Sequence, residues 1–159
     1  MQSPLDYRLR RATARDEETF TAQRLDIFRE VHGLQPGTAH DDLERRTRVA
    51  FAALVTDPAT STWLAVDERG RAVGSAACHT FARLPSPANP AGREAYVSHV
   101  YVAPAWRRRG VGKALVSAIV DEMRTLGLSR VRLHATADGF QLYETLGFRR
   151  RENDMELRL

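Results

Sequence analysis

One segment restricts this chain more than any other: Val100-Tyr101-Val102-Ala103-Pro104-Ala105-Trp106-Arg107-Arg108-Arg109-Gly110-Val111-Gly112-Lys113-Ala114-Leu115. An alternating apolar stretch gives way to proline, three arginines and two glycines. Leu115, Ile119, Met123 and Leu126 then recur at helical spacing, with Gly127 placed to end the helix. The segment therefore reads as a strand, a turn and a helix start. First-turn amides of a helix have no intrahelical acceptor, and the aligned peptide dipoles make that end partly positive, so it attracts an anion. Glycines at 110 and 112 lack the β-carbons that would hold phosphate oxygens off those amides, and arginine's planar fork suits a phosphate. Arg107, Arg108, Arg109, Gly110, Val111, Gly112 and Lys113 are thus the candidate diphosphate-binding residues. A Walker loop would need Gly at 107 and Ser or Thr at 114, and a dinucleotide-binding turn a third Gly or Ala at 115. Arg107, Ala114 and Leu115 exclude both. Taken locally, a basic helix start that binds nothing is the alternative.

The rest of the chain bounds this reading. Its 159 residues suffice for one core, so residues 1–159 are expected to form one domain. A composition 43% hydrophobic and 28% charged is that of a globular protein, and no apolar run approaches the ~18 residues of a membrane span. Met1 to Asp6 lacks a signal-peptide pattern and Cys78 is the only cysteine, so no intrachain disulfide is possible and a cytoplasmic location is expected. The net charge of +4 raises nucleic acid as a partner. Apart from 107–109 and 149–151, however, the arginines are scattered among acidic residues, which argues against it.

Hydrophobic periodicity orders the elements. Tyr7 to Ala12 alternates as a strand, and helices are predicted from Asp16 to Val31 and from about His40 to Asp57-Pro58. Ser61 to Val66 and Ala72 to Phe81, joined at Asp67-Glu68-Arg69-Gly70, form a hairpin. Arg83 to Gly92, rich in proline, is a loop, and Glu94 to Val102 is the longest strand. Beyond the arginine turn and its helix come a strand at Arg130 to Ala135 and a short helix at Asp138 to Leu146. A final hairpin is expected from Phe148 to Arg151 and Met155 to Leu159.

With the residues in view, the sequence resembles the GNAT superfamily of acyl-CoA-dependent N-acyltransferases. That family's signature is Arg or Gln, two residues, Gly, one residue, then Gly or Ala, directly after a strand ending in an apolar-x-Val-x-Pro pattern. Val100 to Gly112 matches it, and Gln141-Leu142-Tyr143-Glu144-Thr145-Leu146-Gly147-Phe148 looks like the family's second cofactor motif. The resemblance implies a single-domain α/β (α+β) GNAT fold. Its mixed, mostly antiparallel sheet would have six to seven strands and about four flanking helices, with the parallel pair Glu94–Val102 and Arg130–Ala135 splayed apart. It implies acetyl-CoA as acyl-donor substrate, with Val100, Tyr101 and Val102 binding the peptide-like pantetheine arm through backbone and one of their amides stabilising the oxyanion. The other partner would be a small-molecule or peptide amine acceptor, in a protein that is not membrane-bound, and a homodimer is an admissible assembly. The acceptor pocket is expected between the first two helices, the Arg83 to Gly92 loop and the final hairpin, where Asp26, Glu30, Asp41 and Asp42 offer charges for a cationic amine.

Tyr143 matches the family's general acid: a phenol of reference pKa ~10 stays protonated and can serve a departing thiolate. It also lies between Phe140 and Leu146 as a packing residue would. Many relatives place Glu or His where this chain has Tyr96 and Ser98, so the base is left to Glu94, on that face by alternation, or His99, on the other face unless a β-bulge rotates it. His79 is a third candidate. No grouping with metal-ligand spacing occurs, His134 reads as a sheet residue, and Cys78 as a small buried one. Acetyl transfer to a primary amine is the first functional reading. The second is a non-catalytic acyl-CoA-sensing or basic-surface binding module of the same fold.

Overall fold

Each of the early helices begins and ends where local chemistry dictates. Asp16 accepts the Thr13 backbone N–H at 2.8 Å and a bidentate pair from Arg10 at 2.7 and 2.8 Å, which fixes the entry to α1 (Glu17–His32). Gly33, at φ 64°, ends it in the left-handed conformation that glycine tolerates. α2 (Thr38–Thr56) stops at Asp57, held extended by the following Pro58. The computed structural model describes residues 6–159, so the signal-peptide reading of Met1 to Asp6 lies almost wholly outside the described residues.

β1 (Tyr7–Arg11), β2 (Thr60–Asp67), β3 (Ala72–Ala82) and β4 (Arg93–Val102) pair antiparallel in chain order, and β5 (Val131–Leu133) joins β4 in parallel. Alternation along β3 separates two cores. Ala76 and Cys78 pack with Ala95, Val97 and the buried stripe Val111, Leu115, Ile119 and Met123 of α3 (Val111–Thr125). Ala77 faces the other way, onto Phe20 of α1 and Phe51 of α2, whose rings lie 4.8 Å apart. Leu115 and Ile119 have no exposed surface, and burial of each side chain contributes about 1.5–3 kcal/mol. Thus α1 and α2 cover one face of the sheet and α3 the other.

Two sequence expectations are corrected. The sheet has five strands among the described residues, not six to seven, and Phe148 to Arg151 and Met155 to Leu159 form no hairpin. The last backbone hydrogen bond in this region is Phe148 N–H to the Tyr143 carbonyl, so the tail has no ladder to join. Its alternating apolar side chains stay in solvent: Met155 is 99% exposed and Leu157 83%. Four α-helices are present among the described residues, the last being α4 (Phe140–Thr145). Among the described residues, no helix is long and apolar enough to cross a membrane.

Candidate functional site: a bulged strand, a basic loop and a splayed strand pair

The loop between β4 and α3 leads by a turn into a helix start at Val111, the local structure that its sequence predicts. Arg108 is a non-glycine residue at φ 63° and Gly110 sits at φ 81°, so the chain curls twice through left-handed conformations before α3 begins. Such a conformation costs a non-glycine residue on the order of 1–3 kcal/mol, and strain of this kind gathers at functional sites. No side chain caps α3, which leaves its first amides directed at solvent. Val111 is buried in the core and can offer only its amide, whereas Arg108, Arg109 and Lys113 are exposed and Arg109 lies over the Trp106 ring at 5.3 Å. Arg107 is already engaged. Its Nε donates to the Val102 carbonyl at 3.0 Å and its Nη2 to both oxygens of Glu30 at 2.6 and 2.9 Å, so it braces the loop against α1.

β4 carries a bulge the sequence raised only as a condition. Ala77 pairs with His99 and Cys78 with Val97, which leaves Ser98 as the extra residue. Ala95 and Val97 face α3, and alternation alone would put His99 with them. The bulge turns His99 and Tyr101 to the α1 side instead: the His99 ring lies 4.5 Å from Phe20, and the Tyr101 hydroxyl donates to Asp26 at 3.3 Å. Val100 and Val102 pack toward the α3 core. None of these three side chains points along the sheet, so 100–102 can serve a ligand there through backbone. Pairing with β5 ends at Val97 opposite Leu133, and the edge of β4 beyond it has no strand partner. Gly112, Val102 and Leu142 converge at its end, where a β-carbon on Gly112 would lie 3.3 Å from Leu142 and 3.5 Å from Val102.

The acid and base candidates occupy different surroundings. Tyr143 is half-buried against Phe148, ring centroids 5.9 Å apart, and burial raises its pKa, so it stays protonated. Glu94 is 1% exposed and caged by arginines: Arg130 donates to it at 2.9 Å, and Arg132 and Arg83 stand at 3.8 Å. His99 is buried, its Nε2 bonded to Ser75 Oγ at 2.7 Å and its Nδ1 unpartnered. Burial, aided by the positive charge of Arg24, lowers its pKa to about 3. The sequence reading missed a hydrogen bond between Tyr96 Oη and His134 Nδ1, with His79 packed 5.7 Å from the Tyr96 ring. Alternation placed Arg130, Arg132 and His134 on one face, but only the parallel register puts them opposite Tyr96. Burial pushes the Cys78 thiol up to about 12, far from a reactive thiolate.

A cavity of about 500 Å³ opens between α1, α2 and the bulge, lined by Phe20, Arg24, Arg46, Asp57, Ser98 and His99 among others. Arg24 donates to the Ser98 carbonyl at 3.0 Å, which places one guanidinium beside the bulge. Neither the 83–92 loop nor the C-terminal tail lines this cavity. The loop is folded on itself by a Ser86–Asn89 bridge and by Arg83 N–H to the Gly92 carbonyl. Asp26, Glu30 and Asp42 are in ion pairs with Arg29, Arg107 and Arg45, and Asp41 lies 3.2 Å from His40 Nδ1. A second cavity, of about 480 Å³, lies between β5, α4 and the tail, and His134 and Tyr143 both line it.

Known proteins are similar to this chain in sequence and in fold. Residues 24–148 match the model of the acetyltransferase (GNAT) family. The chain is 39% identical over 97 residues to a mycothiol acetyltransferase of Renibacterium salmoninarum, a match covering 57% of this chain and 27% of that protein. It is 33% identical over 90 residues to a glucosamine 6-phosphate N-acetyltransferase of Trypanosoma brucei brucei, covering 57% of this chain and 59% of the relative. The matches thus span well under two thirds of either relative's length. In fold, the chain is similar to a predicted acetyltransferase from Clostridium acetobutylicum solved with acetyl-CoA, with TM-score 0.85 at 21% identity and 96% coverage of both chains. A GCN5-related N-acetyltransferase from Ralstonia eutropha superposes with TM-score 0.83 at 23% identity, covering 96% of this chain and 98% of the other.

Proposed function

Because this chain belongs to the acetyltransferase (GNAT) family, we propose that it acts as a single domain transferring the acetyl group of acetyl-CoA to the primary amine of a small molecule. The observation that carries this reading is the continuity of three features: an uncapped helix start behind a doubly left-handed loop, a β4 edge left open where β5 diverges, and a bulge that turns His99 toward a cavity on the α1 side. The diphosphate would lie on the first amides of α3 with Arg108, Arg109 and Lys113 adding charge. Arg107 supports that loop through Glu30 and the Val102 carbonyl. The pantetheine arm would run along the open edge as an added strand does, and a backbone N–H of 100–102 would receive the oxyanion as the amine attacks. Bond making at carbon releases the thiolate of coenzyme A, and Tyr143, kept neutral by burial, supplies its proton.

The cavity beside the bulge is the seat of the acceptor. Its guanidiniums, Arg24 and Arg46, outnumber its one carboxylate, Asp57, and the acidic residues of α1 and α2 named above are paired already. An amine that also bears a phosphate or carboxylate fits that balance, because arginine holds either in two places. The name of the Trypanosoma relative, an acetyltransferase of an amino-sugar phosphate, points the same way.

Following free-thiol release from acetyl-CoA over a panel of amines tests both levels. Sustained release above hydrolysis is expected, with kcat/KM higher for anionic amines than for their neutral counterparts. Arg46→Gln should narrow that gap at least several-fold. A panel that gives no release above hydrolysis sinks the enzymatic reading in favour of an acyl-CoA sensor. Equal use of neutral and anionic amines sinks only the acceptor class.

A further inference from the structure

Three aromatic rings from three neighbouring strands form a row at the point where β4 and β5 part. His79 of β3 pairs in register with Tyr96 of β4, and their ring centroids lie 5.7 Å apart. Tyr96 pairs with Arg132, one position before the parallel ladder ends at Val97 opposite Leu133. His134 is the first residue past β5, and its ring centroid is also 5.7 Å from Tyr96, with the Tyr96 hydroxyl hydrogen-bonded to His134 Nδ1. Ala95 and Val97 pack with α3, so Tyr96 projects from the opposite face, the one that the bulge gives to His99. Thr60, in register with His79, and Ser98, two positions after Tyr96, line the proposed acceptor cavity, so the His79–Tyr96 end of the row adjoins its lining, while His134 lines the second cavity with Tyr143.

Two of the three bases offered by the sequence, Glu94 and His99, are badly placed for the task. Glu94 is held by Arg130 within a set of three guanidiniums, and His99 is 4% exposed with its Nε2 already bonded to Ser75 Oγ. The Tyr96–His134 pair differs in having a half-buried end and a solvent end: Tyr96 is partly covered, and His134 is exposed. Resting on the acetyl-transfer reading above, we propose that Tyr96 and His134 form the proton-accepting pair for the attacking amine.

Between ammonium and amide, the acceptor nitrogen gives up two protons. In the step proposed, Tyr96 Oη accepts one from the ammonium while its own hydroxyl proton passes to His134 Nδ1, whose Nε2 proton then leaves to water. The neutral amine forms its bond to the carbonyl carbon and the carbon–sulfur bond breaks. Tyr143 protonates the thiolate and recovers a proton from water, His134 returns through water to its Nε2–H tautomer, and the nitrogen's second proton then leaves by the same pair, so one proton net goes to the thiol and one to solvent. Tyr96 is the group that meets the amine. His134 acts through it, and His79 positions the ring. The charged or titratable groups sharing His134's cavity are Arg132, Tyr143, Glu144, Asp154 and the arginines at 149–151, while His79 faces Tyr96 from β3.

The test compares wild type with Y96F and H134Q, measuring kcat/KM for one accepted amine across pH 5.5–9.5 and the Kd for acetyl-CoA. Removal of a proton-transfer group should lower the rate at neutral pH by about 100-fold or more. The deficit should shrink toward wild type above the titration of the amine itself, where the acceptor arrives neutral, with Kd changed less than about twofold. Loss that is equal at every pH marks a structural role and overturns the proposal, as does an unchanged profile. NMR of the His134 ring nitrogens is independent of turnover: Y96F should move the Nδ1 resonance by removing its hydrogen bond, and an unmoved resonance rules out the coupled pair. Wild-type protein that turns over no amine overturns the acetyl-transfer reading and the pair's role with it.

Discussion

Replacing Glu94 with Gln separates a structural carboxylate from a catalytic one, and the structure sets the size of the effect. Glu94 is 1% exposed, accepts from Arg130 Nη1 at 2.9 Å and stands 3.8 Å from Arg132 and Arg83. Breaking a fully buried pair costs about 3–5 kcal/mol because the orphaned charge stays in the interior. Here the three guanidiniums retain 33, 28 and 51% of their side-chain exposure, so water still screens them after the substitution. Gln also keeps an oxygen for Arg130. The remaining loss is that of charge assistance to a buried hydrogen bond, about 1.5–3 kcal/mol. At ~2–4 °C per kcal/mol for a chain of this size, the midpoint of thermal unfolding should fall by roughly 3–12 °C. Circular dichroism melts, run beside kcat at 25 °C, read both quantities, and kcat should stay within about twofold of wild type, the scatter expected when no proton-transfer group is touched. A kcat reduced about 100-fold with an unmoved midpoint would refute this reasoning and make Glu94 the base.

Further outcomes follow from other residues. His99 has its pKa lowered by burial to about 3, so between that value and the ordinary imidazole range of ~6.5 the unfolded chain binds more protons than the folded one. Its contribution to stability is therefore present above that window and lost as pH falls through it. Denaturant unfolding of His99→Gln should show a shallower acid dependence, by up to ~1.4 kcal/mol per pH unit, and parallel curves would count against a neutral buried imidazole. Tyr143→Phe should lower turnover while leaving the acetyl-CoA Kd nearly intact, and unchanged turnover would remove Tyr143 as the acid. A β-carbon at Gly74 would lie 2.8 Å from the Tyr101 carbonyl oxygen and 3.1 Å from Val111. Gly74→Ala should therefore cost about 1–3 kcal/mol in chemical denaturation, and a neutral result would show that β4 can shift away from β3 without penalty.

The local elements were legible because their causes are local. The helix start at Asp16, the Asp57-Pro58 stop and the hairpin between β2 and β3 appear within a residue or two of their predicted bounds. The Arg107 to Gly112 turn was legible for the same reason, since helix-end amides and glycine conformations depend on neighbours in the chain. Reading failed where an element needs a distant partner. Met155 to Leu159 alternates as a strand should, yet alternation supplies no ladder, and β5 keeps only three paired residues. Arg107 and Arg108 look alike in sequence. One is tied to Glu30, seventy-seven positions away, and the other is left exposed.

What the sequence determined by itself was the glycine turn ahead of α3, the order of the elements and the family resemblance, all of which rest on spacing along the chain. The tertiary structure decided which side chains meet. An extra residue at Ser98 turned His99 from one face of the sheet to the other, and three arginines from β3, β5 and their flanks enclosed Glu94. The parallel register of β4 with β5 set Tyr96 against His134. A one-residue change of register reverses every side chain in a strand while leaving its alternation intact, which is why a pattern that reads as a strand cannot say what that strand will hold.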